Sequence, residues 1–188
     1  PKVAKYLDLP LQHINDELLI QMNRRGTSEW IRSRIDECHR RGLLVRTTMI
    51  VGFPGETEAQ FEELMDFVKT ARFERLGAFT YSPEEGTKAA KMPNQIDEET
   101  KTRRLDQLMM LQQAISMELN EARIGEKCEV LVDGFDEEGR PYGRSLKEAP
   151  ESDGVIWLES DRELAPGTYV QVEITGADAY DLTGKVLP

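Results

Sequence analysis

The chain has 188 residues, 39% hydrophobic and 31% charged, with a net charge of −11. That supplies a packed core and room for one large or two small domains. No window approaches the roughly 18 consecutive apolar residues of a membrane helix, and no basic-then-apolar leader precedes the first element, so a cytoplasmic protein without membrane contact is expected.

Up to about residue 121, strand-like and helix-like patterns alternate, which predicts parallel strands joined by crossover helices. Strands are expected over residues 3–9, 43–51 and 76–81. Two helices, over 15–25 and 28–41, separate the first two, each stopped by a glycine, Gly26 and Gly42. Arg24-Arg25 and Arg40-Arg41 then fall in last turns, where they complement the helix dipole. After the second strand comes Val51-Gly52-Phe53-Pro54-Gly55-Glu56-Thr57. Thr57 and Gln60 make a capping box, and Phe61, Leu64, Met65 and Val68 fall on one helical face. A loop over 82–96 leads to a long helix over 97–121, with an apolar stripe of Leu105, Leu108, Met109, Ile115 and Leu119. The chain starts at Pro1 and runs almost directly into a strand, which reads as a cut through a larger protein.

Near residues 122–125 the hydrophobic period changes from 3.6 to 2. Short strands over 128–132, 155–158, 170–174 and 182–187, separated by Gly-containing turns, predict a small closed barrel of about five strands. The expected domains are 1–121 and 122–188. Residues 1–121 carry 17 Lys and Arg against 20 Asp and Glu, whereas 122–188 carry 7 against 15. An acidic second domain is a poor grip for nucleic acid and suits a basic partner. Its Tyr142, Trp157, Tyr169 and Tyr180 lack interleaved basic residues, so they read as core or as a protein-contact face.

Ligands of parallel α/β sheets bind at the C-terminal strand ends. The first end offers Gln12 and His13, the second Gly52, Phe53, Pro54, Gly55 and Glu56, the third Phe79, Tyr81 and Ser82. Aromatic faces, main-chain groups, an amide and hydroxyls suit a nucleoside or amino-acid ligand. They make no hydrolytic triad: Ser82 has no evident His and Asp partners, and His13 reads either as a hydrogen-bonded strand-end residue or as a base. Glu56 would either bind a ligand group or favour the positive end of the following helix. Neither a P-loop nor a Rossmann fingerprint is present. The two cysteines, Cys38 and Cys128, are too far apart for a local metal cluster and read as buried, inert thiols.

Tyr6-Leu7-Asp8-Leu9-Pro10-Leu11-Gln12-His13, Met22-Asn23-Arg24-Arg25-Gly26, the run from Arg46 to Thr57, the run from Gly77 to Thr87, and Gln112-Gln113-Ala114-Ile115-Ser116 together resemble the radical S-adenosylmethionine methylthiotransferases. Tyr142-Gly143-Arg144-Ser145, the run from Ala149 to Gly154, and Ala179-Tyr180-Asp181-Leu182 are similar to that family's terminal TRAM domain. The resemblance implies the last three strands and helices of a partial, TIM-like parallel barrel, followed by an all-β, OB-like TRAM barrel. It implies S-adenosylmethionine as cofactor and two 4Fe-4S clusters in the full-length protein, whose ligands are not in this chain; the fragment alone should be inactive. By the same resemblance, the cofactor is cleaved to a 5'-deoxyadenosyl radical that takes hydrogen from a substrate carbon, after which sulfur and a methyl group are delivered. Gly52 to Glu56 would contact the adenosyl part, Phe79 and Tyr81 would flank it, and Gln12 would reach its ribose or amino-acid end. The motifs resemble the branch acting on an aspartate of the twelfth protein of the small ribosomal subunit, a basic partner that an acidic TRAM suits. A transfer-RNA methylthiotransferase and a non-catalytic protein-binding adaptor are the alternatives. Self-association through an exposed sheet edge is also expected.

Overall fold

The computed structural model describes residues 3–188 as two compact units, Leu7–Ile115 and Ser116–Pro188 with the residues before Leu7. In chain order the α/β part contains β1 (Tyr6–Gln12), α1 (Asp16–Gln21), α2 (Ser28–Arg40), β2 (Leu44–Val51), α3 (Glu58–Ala71), β3 (Arg75–Thr80) and α4 (Glu98–Glu121). The three strands form one sheet in the order β1-β2-β3, and β2 pairs in parallel with β3, from Arg46 opposite Arg75 to Val51 opposite Thr80. β2 alternates strictly. Val45, Thr47, Met49 and Val51 are buried, in a core that includes Ile31 and Ile35 of α2 and Phe61, Leu64, Phe67 and Val68 of α3. Each fully buried Leu, Ile or Phe contributes roughly 1.5–3 kcal/mol. The register puts Thr48 and Ile50 on the opposite face, beside Gly77 and Phe79 of β3.

β1 lies three residues later than the expected 3–9 and runs through Pro10. Proline cannot donate to a ladder, which is why the sequence argues for an end there. The buried Thr47 hydroxyl donates to the Leu9 carbonyl (2.8 Å) and accepts from the Leu11 amide (3.4 Å), bridging the gap that Pro10 leaves. The first helix is shorter than the expected 15–25. Asn15 caps it, and Asn23 closes it in the left-handed conformation (φ 57°) in place of Gly26. The Asn23 amide bonds the Ile20 carbonyl and the Arg24 amide that of Leu19, a Schellman pair. Arg24 therefore lies beyond the last turn, and α1 has no basic residue there, so the dipole reading of Arg24 and Arg25 is corrected. In α2 the basic residues of the last turn are His39 and Arg40, and Arg40 and Arg41 both pair with Glu37. α3 carries the expected capping box of Thr57 and Gln60.

The buried face of α4 is not the apolar stripe expected. Leu108 and Ile115 are buried, but Lys101, Arg104, Gln112, Ser116 and Asn120 are buried with them. These residues recur every three or four positions, and each polar one needs a partner to be tolerated there.

In the second unit, β4 (Lys127–Phe135), β5 (Pro141–Arg144), β6 (Ile156–Glu159), β7 (Tyr169–Ala177) and β8 (Leu182–Val186) close into a barrel in the order β4-β5-β6-β8-β7. Val130, Val132, Ile156, Leu158, Val170, Val172, Ile174 and Leu182 fill it. The pairs are antiparallel except β6 with β8. Tyr142 and Trp157 meet edge to face at 5.8 Å, and Arg140 lies 4.4 Å over Trp157, so these aromatics support the barrel wall. Tyr169 and Tyr180 are exposed.

Candidate functional site

Where β2 ends, the chain makes a type II turn. The Glu56 amide bonds the Phe53 carbonyl (2.9 Å), Pro54 holds the second corner, and Gly55 takes φ +84° at the third. Gly52, just before it, has φ +74°, and a Cβ there would meet Lys101 Cγ at 2.4 Å. The turn is thus packed directly against the first turns of α4. The Gly55 amide is taken by the Asn94 carbonyl (2.9 Å).

Glu56 is only 2% exposed. One of its oxygens, Oε2, accepts from the Gly52 amide (2.6 Å) and from Arg104 Nη1 (2.7 Å), and Oε1 accepts from His13 Nε2 (3.0 Å). His13 is fully buried, and its Nδ1 accepts from the Asn15 amide (3.0 Å), which leaves the proton on Nε2 facing Glu56. A neutral imidazole therefore satisfies the geometry, and the charge of Glu56 is met by Arg104. That guanidinium also bonds the Glu56 carbonyl (3.2 Å) and Glu58 (3.0 Å). Hydrogen bonds from Arg103 and Arg104 pull the Glu58 carboxyl down to about 2. The Glu56 carboxylate thus faces the interior of the turn, neither of the two roles weighed from sequence.

Beside the turn lies a cavity of about 330 Å³ lined by Gln12, Gln21, Met22, Asn23, Arg24, Ile50, Phe53, Tyr81, Lys88 and Ala89. The volume falls in the range of small-molecule sites. Three of the residues expected from sequence, Gln12, Phe53 and Tyr81, meet on its wall, and the Phe53 and Tyr81 rings pack edge to face at 5.2 Å. Gln12 is held at φ 73°, a conformation uncommon for a residue with a side chain. Gly52, Pro54, Gly55 and Glu56 form the turn behind Phe53 without lining the cavity. Phe79, 63% exposed, lies on the open sheet face two residues before Tyr81, and Ser82 is exposed beyond the strand; neither lines the cavity. The Tyr81 hydroxyl is buried and has no hydrogen-bond partner among the described residues, while Lys101 Nζ lies 5.5 Å from its ring centre. An orphaned hydroxyl on a cavity wall fits a ligand that brings a polar group.

Sequence reasoning missed Asn23, Arg24 and Lys88 on the cavity wall and Lys101 and Arg104 behind the turn. Arg24 was masked by the dipole reading. Arg104 gave no local signal, because its partner lies 48 residues away. Both cysteines are free and half-buried rather than fully buried, and burial raises the Cys128 thiol above its ordinary value. Among the described residues no group of three or more His, Cys, Asp or Glu could hold a metal ion. None of the helices formed by these residues is long and apolar enough to cross a membrane.

Comparison with known proteins finds two matches. Residues 2–68 match the Radical SAM superfamily and residues 124–187 the TRAM domain. The chain is 48% identical, over 98% of its length, to "Ribosomal protein uS12 methylthiotransferase RimO" of Caldanaerobacter subterraneus subsp. tengcongensis, of which it spans 42%. It is 50% identical over its whole length to the protein of the same name from Caldicellulosiruptor saccharolyticus, of which it spans 43%. The chain thus spans about two-fifths of the length of these relatives. Among solved structures, coproporphyrinogen III oxidase (HemN) from Escherichia coli, a radical SAM enzyme, aligns with 60% of this chain and 27% of its own, at a TM-score of 0.52 and 20% identity, a likeness of fold.

Proposed function

We propose that this chain belongs to the radical S-adenosylmethionine methylthiotransferase family and is part of an enzyme that methylthiolates an aspartate of ribosomal protein uS12, supplying cofactor-binding strand ends and an acidic TRAM domain. The observation that carries the reading is the cavity at the strand ends. It brings an amide (Gln12), two aromatics packed edge to face (Phe53 and Tyr81), two cations (Arg24 and Lys88) and an orphaned hydroxyl (Tyr81) to its lining.

These groups fit S-adenosylmethionine. Gln12 and the Tyr81 hydroxyl would bond its polar groups, Arg24 and Lys88 would attract its carboxylate, and Phe53 and Tyr81 would cover the apolar side of the adenosyl part. When bound, the cofactor supplies one-electron chemistry and a methyl group; the protein binds it, orients it and keeps water away. The cysteines that would hold the clusters are expected elsewhere in the complete protein. The acidic TRAM domain suits a basic ribosomal protein better than transfer RNA, whose phosphates it would repel.

Tyr81→Phe in the complete enzyme tests the site. Removing a buried hydroxyl that has no partner among the described residues should leave the melting temperature unchanged or slightly higher, while S-adenosylmethionine binds several-fold more weakly by equilibrium dialysis. Unchanged affinity with unchanged stability would remove Tyr81 from the site.

A further inference from the structure

The geometry points to Arg104 as a positioning residue for the cofactor turn, although it lies on α4 and does not line the cavity. This inference rests on the functional reading above and adds to it the element that holds the binding turn in shape.

Residues 52–56 contain four main-chain amides, because Pro54 has none, and three of them are spent inside the protein. Gly52 donates to Glu56 Oε2, Gly55 to the Asn94 carbonyl and Glu56 to the Phe53 carbonyl. The first and second of these bonds, and the packing behind Gly52, come from or depend on one segment, residues 94–104. Asn94 supplies its carbonyl, Lys101 lays its stem on Gly52, and Arg104 holds the carboxylate that holds Gly52. Lys101 and Arg104 are 2% and 4% exposed, and neither reaches the cavity. Arg104 bonds both the side chain and the main-chain carbonyl of Glu56, so one guanidinium fixes the last residue of the turn at two points.

The consequence concerns the cavity wall. Gly52 has a left-handed conformation with its amide aimed at Glu56, and Phe53, the next residue, is the turn's contribution to the wall. With the guanidinium gone, Glu56 keeps a buried carboxylate facing one amide and one neutral imidazole. A buried charge stripped of its partner is costly enough that the carboxylate must move toward water or take a proton. Either change releases the Gly52 amide and with it the setting of Phe53 against Tyr81. A displacement of this kind at a binding wall lowers affinity without removing any group that touches the ligand.

The test compares Arg104→Met, Arg104→Lys and, as control, Arg103→Met in the complete enzyme. Arg103 is the exposed neighbour, whose carboxylate partner among the described residues is Glu58. Two quantities are read: the dissociation constant for S-adenosylmethionine, corrected for the folded fraction, and amide hydrogen exchange of the peptide covering residues 49–57. Arg104→Met should speed exchange in that peptide and weaken binding on the order of tenfold. Arg104→Lys, which keeps the charge but not the two-point contact, should recover part of both, and Arg103→Met should change neither. Wild-type exchange and affinity in Arg104→Met, or affinity falling only with the folded fraction, would overturn the proposal. Should Arg104→Met fail to fold, Arg104→Lys with wild-type exchange and affinity would overturn it equally. If the wild-type enzyme bound no S-adenosylmethionine while exchange still depended on Arg104, the functional reading would fall and the turn clamp would stand.

Discussion

At Gly55 the main chain holds φ +84°, and nothing lies within 4 Å of where a Cβ would stand, so conformation and not crowding opposes a side chain. Gly55→Val should cost about 1–2 kcal/mol in chemical unfolding through that conformation alone, and a value near zero would mean the turn is not type II. The Phe-Pro-Gly-Glu turn was legible in the sequence because its residue types dictate its geometry. The role of Glu56 was not, because it depends on His13 and Arg104, which only the fold brings together. A second residue-scale consequence concerns His39 and Glu74, 3.5 Å apart at the sheet margin, a distance for charge attraction rather than a well-formed hydrogen bond. The Glu74 carboxylate raises His39 above 6.5. Burial by itself would raise Glu74, but His39 and the Val45 amide outweigh it and hold the carboxyl below 4.5. The His39 contribution is complete below 6.5 and fades as pH rises through its raised folded value. The Glu74 contribution is complete above 4.5 and fades as pH falls. The pair should therefore stabilise most between these two values, and the stability gap between wild type and His39→Gln should narrow from pH ~6 to ~9. A gap that stays constant across that range would show that the pair does not titrate with folding.

Among the elements, α4 shows best where pattern reading stops. Its length and start were legible from Asp97, which caps Thr100, and from the acidic first turn. Its buried face was not, because the face carries Lys101, Arg104, Gln112, Ser116 and Asn120 between Leu108 and Ile115, and a hydrophobic period cannot register buried polar groups whose partners lie elsewhere. Gln112 donates to the Phe73 carbonyl (2.9 Å) just after α3, closing that helix end onto α4. Gln112→Leu keeps the volume and removes the donor. It should destabilise the protein by about 1–3 kcal/mol in urea unfolding, the cost of a buried carbonyl left unpaired. A stabilised variant would show that this seam tolerates an apolar residue. The barrel strands were more legible, since period 2 and a filled interior coincide there. β5 was the strand left unplaced, because Pro141-Tyr142-Gly143-Arg144 is too short to display a period; Gly143 is needed there because a Cβ would meet the Leu131 carbonyl oxygen at 2.2 Å.

For the molecule as a whole, the change of period near residue 122 and the shift in charge at the same place predict two kinds of domain; the structure forms two compact units, Leu7–Ile115 and Ser116–Pro188 with the residues before Leu7, and the family matches cover residues 2–68 and 124–187. Charge also bears on the target. Residues 122–188, with 7 basic and 15 acidic side chains, would be steered toward a basic protein and away from a phosphate backbone. On the proposed reading, that separates the two candidate substrates, a basic ribosomal protein and transfer RNA. The deciding measurement is mass spectrometry after incubation of the complete, cluster-loaded enzyme with S-adenosylmethionine, reductant and a sulfur source, offering uS12 and transfer RNA together. The proposed reading predicts one methylthio group on an aspartate of uS12 and none on the RNA. A methylthio group on the RNA, with uS12 unchanged, would contradict it.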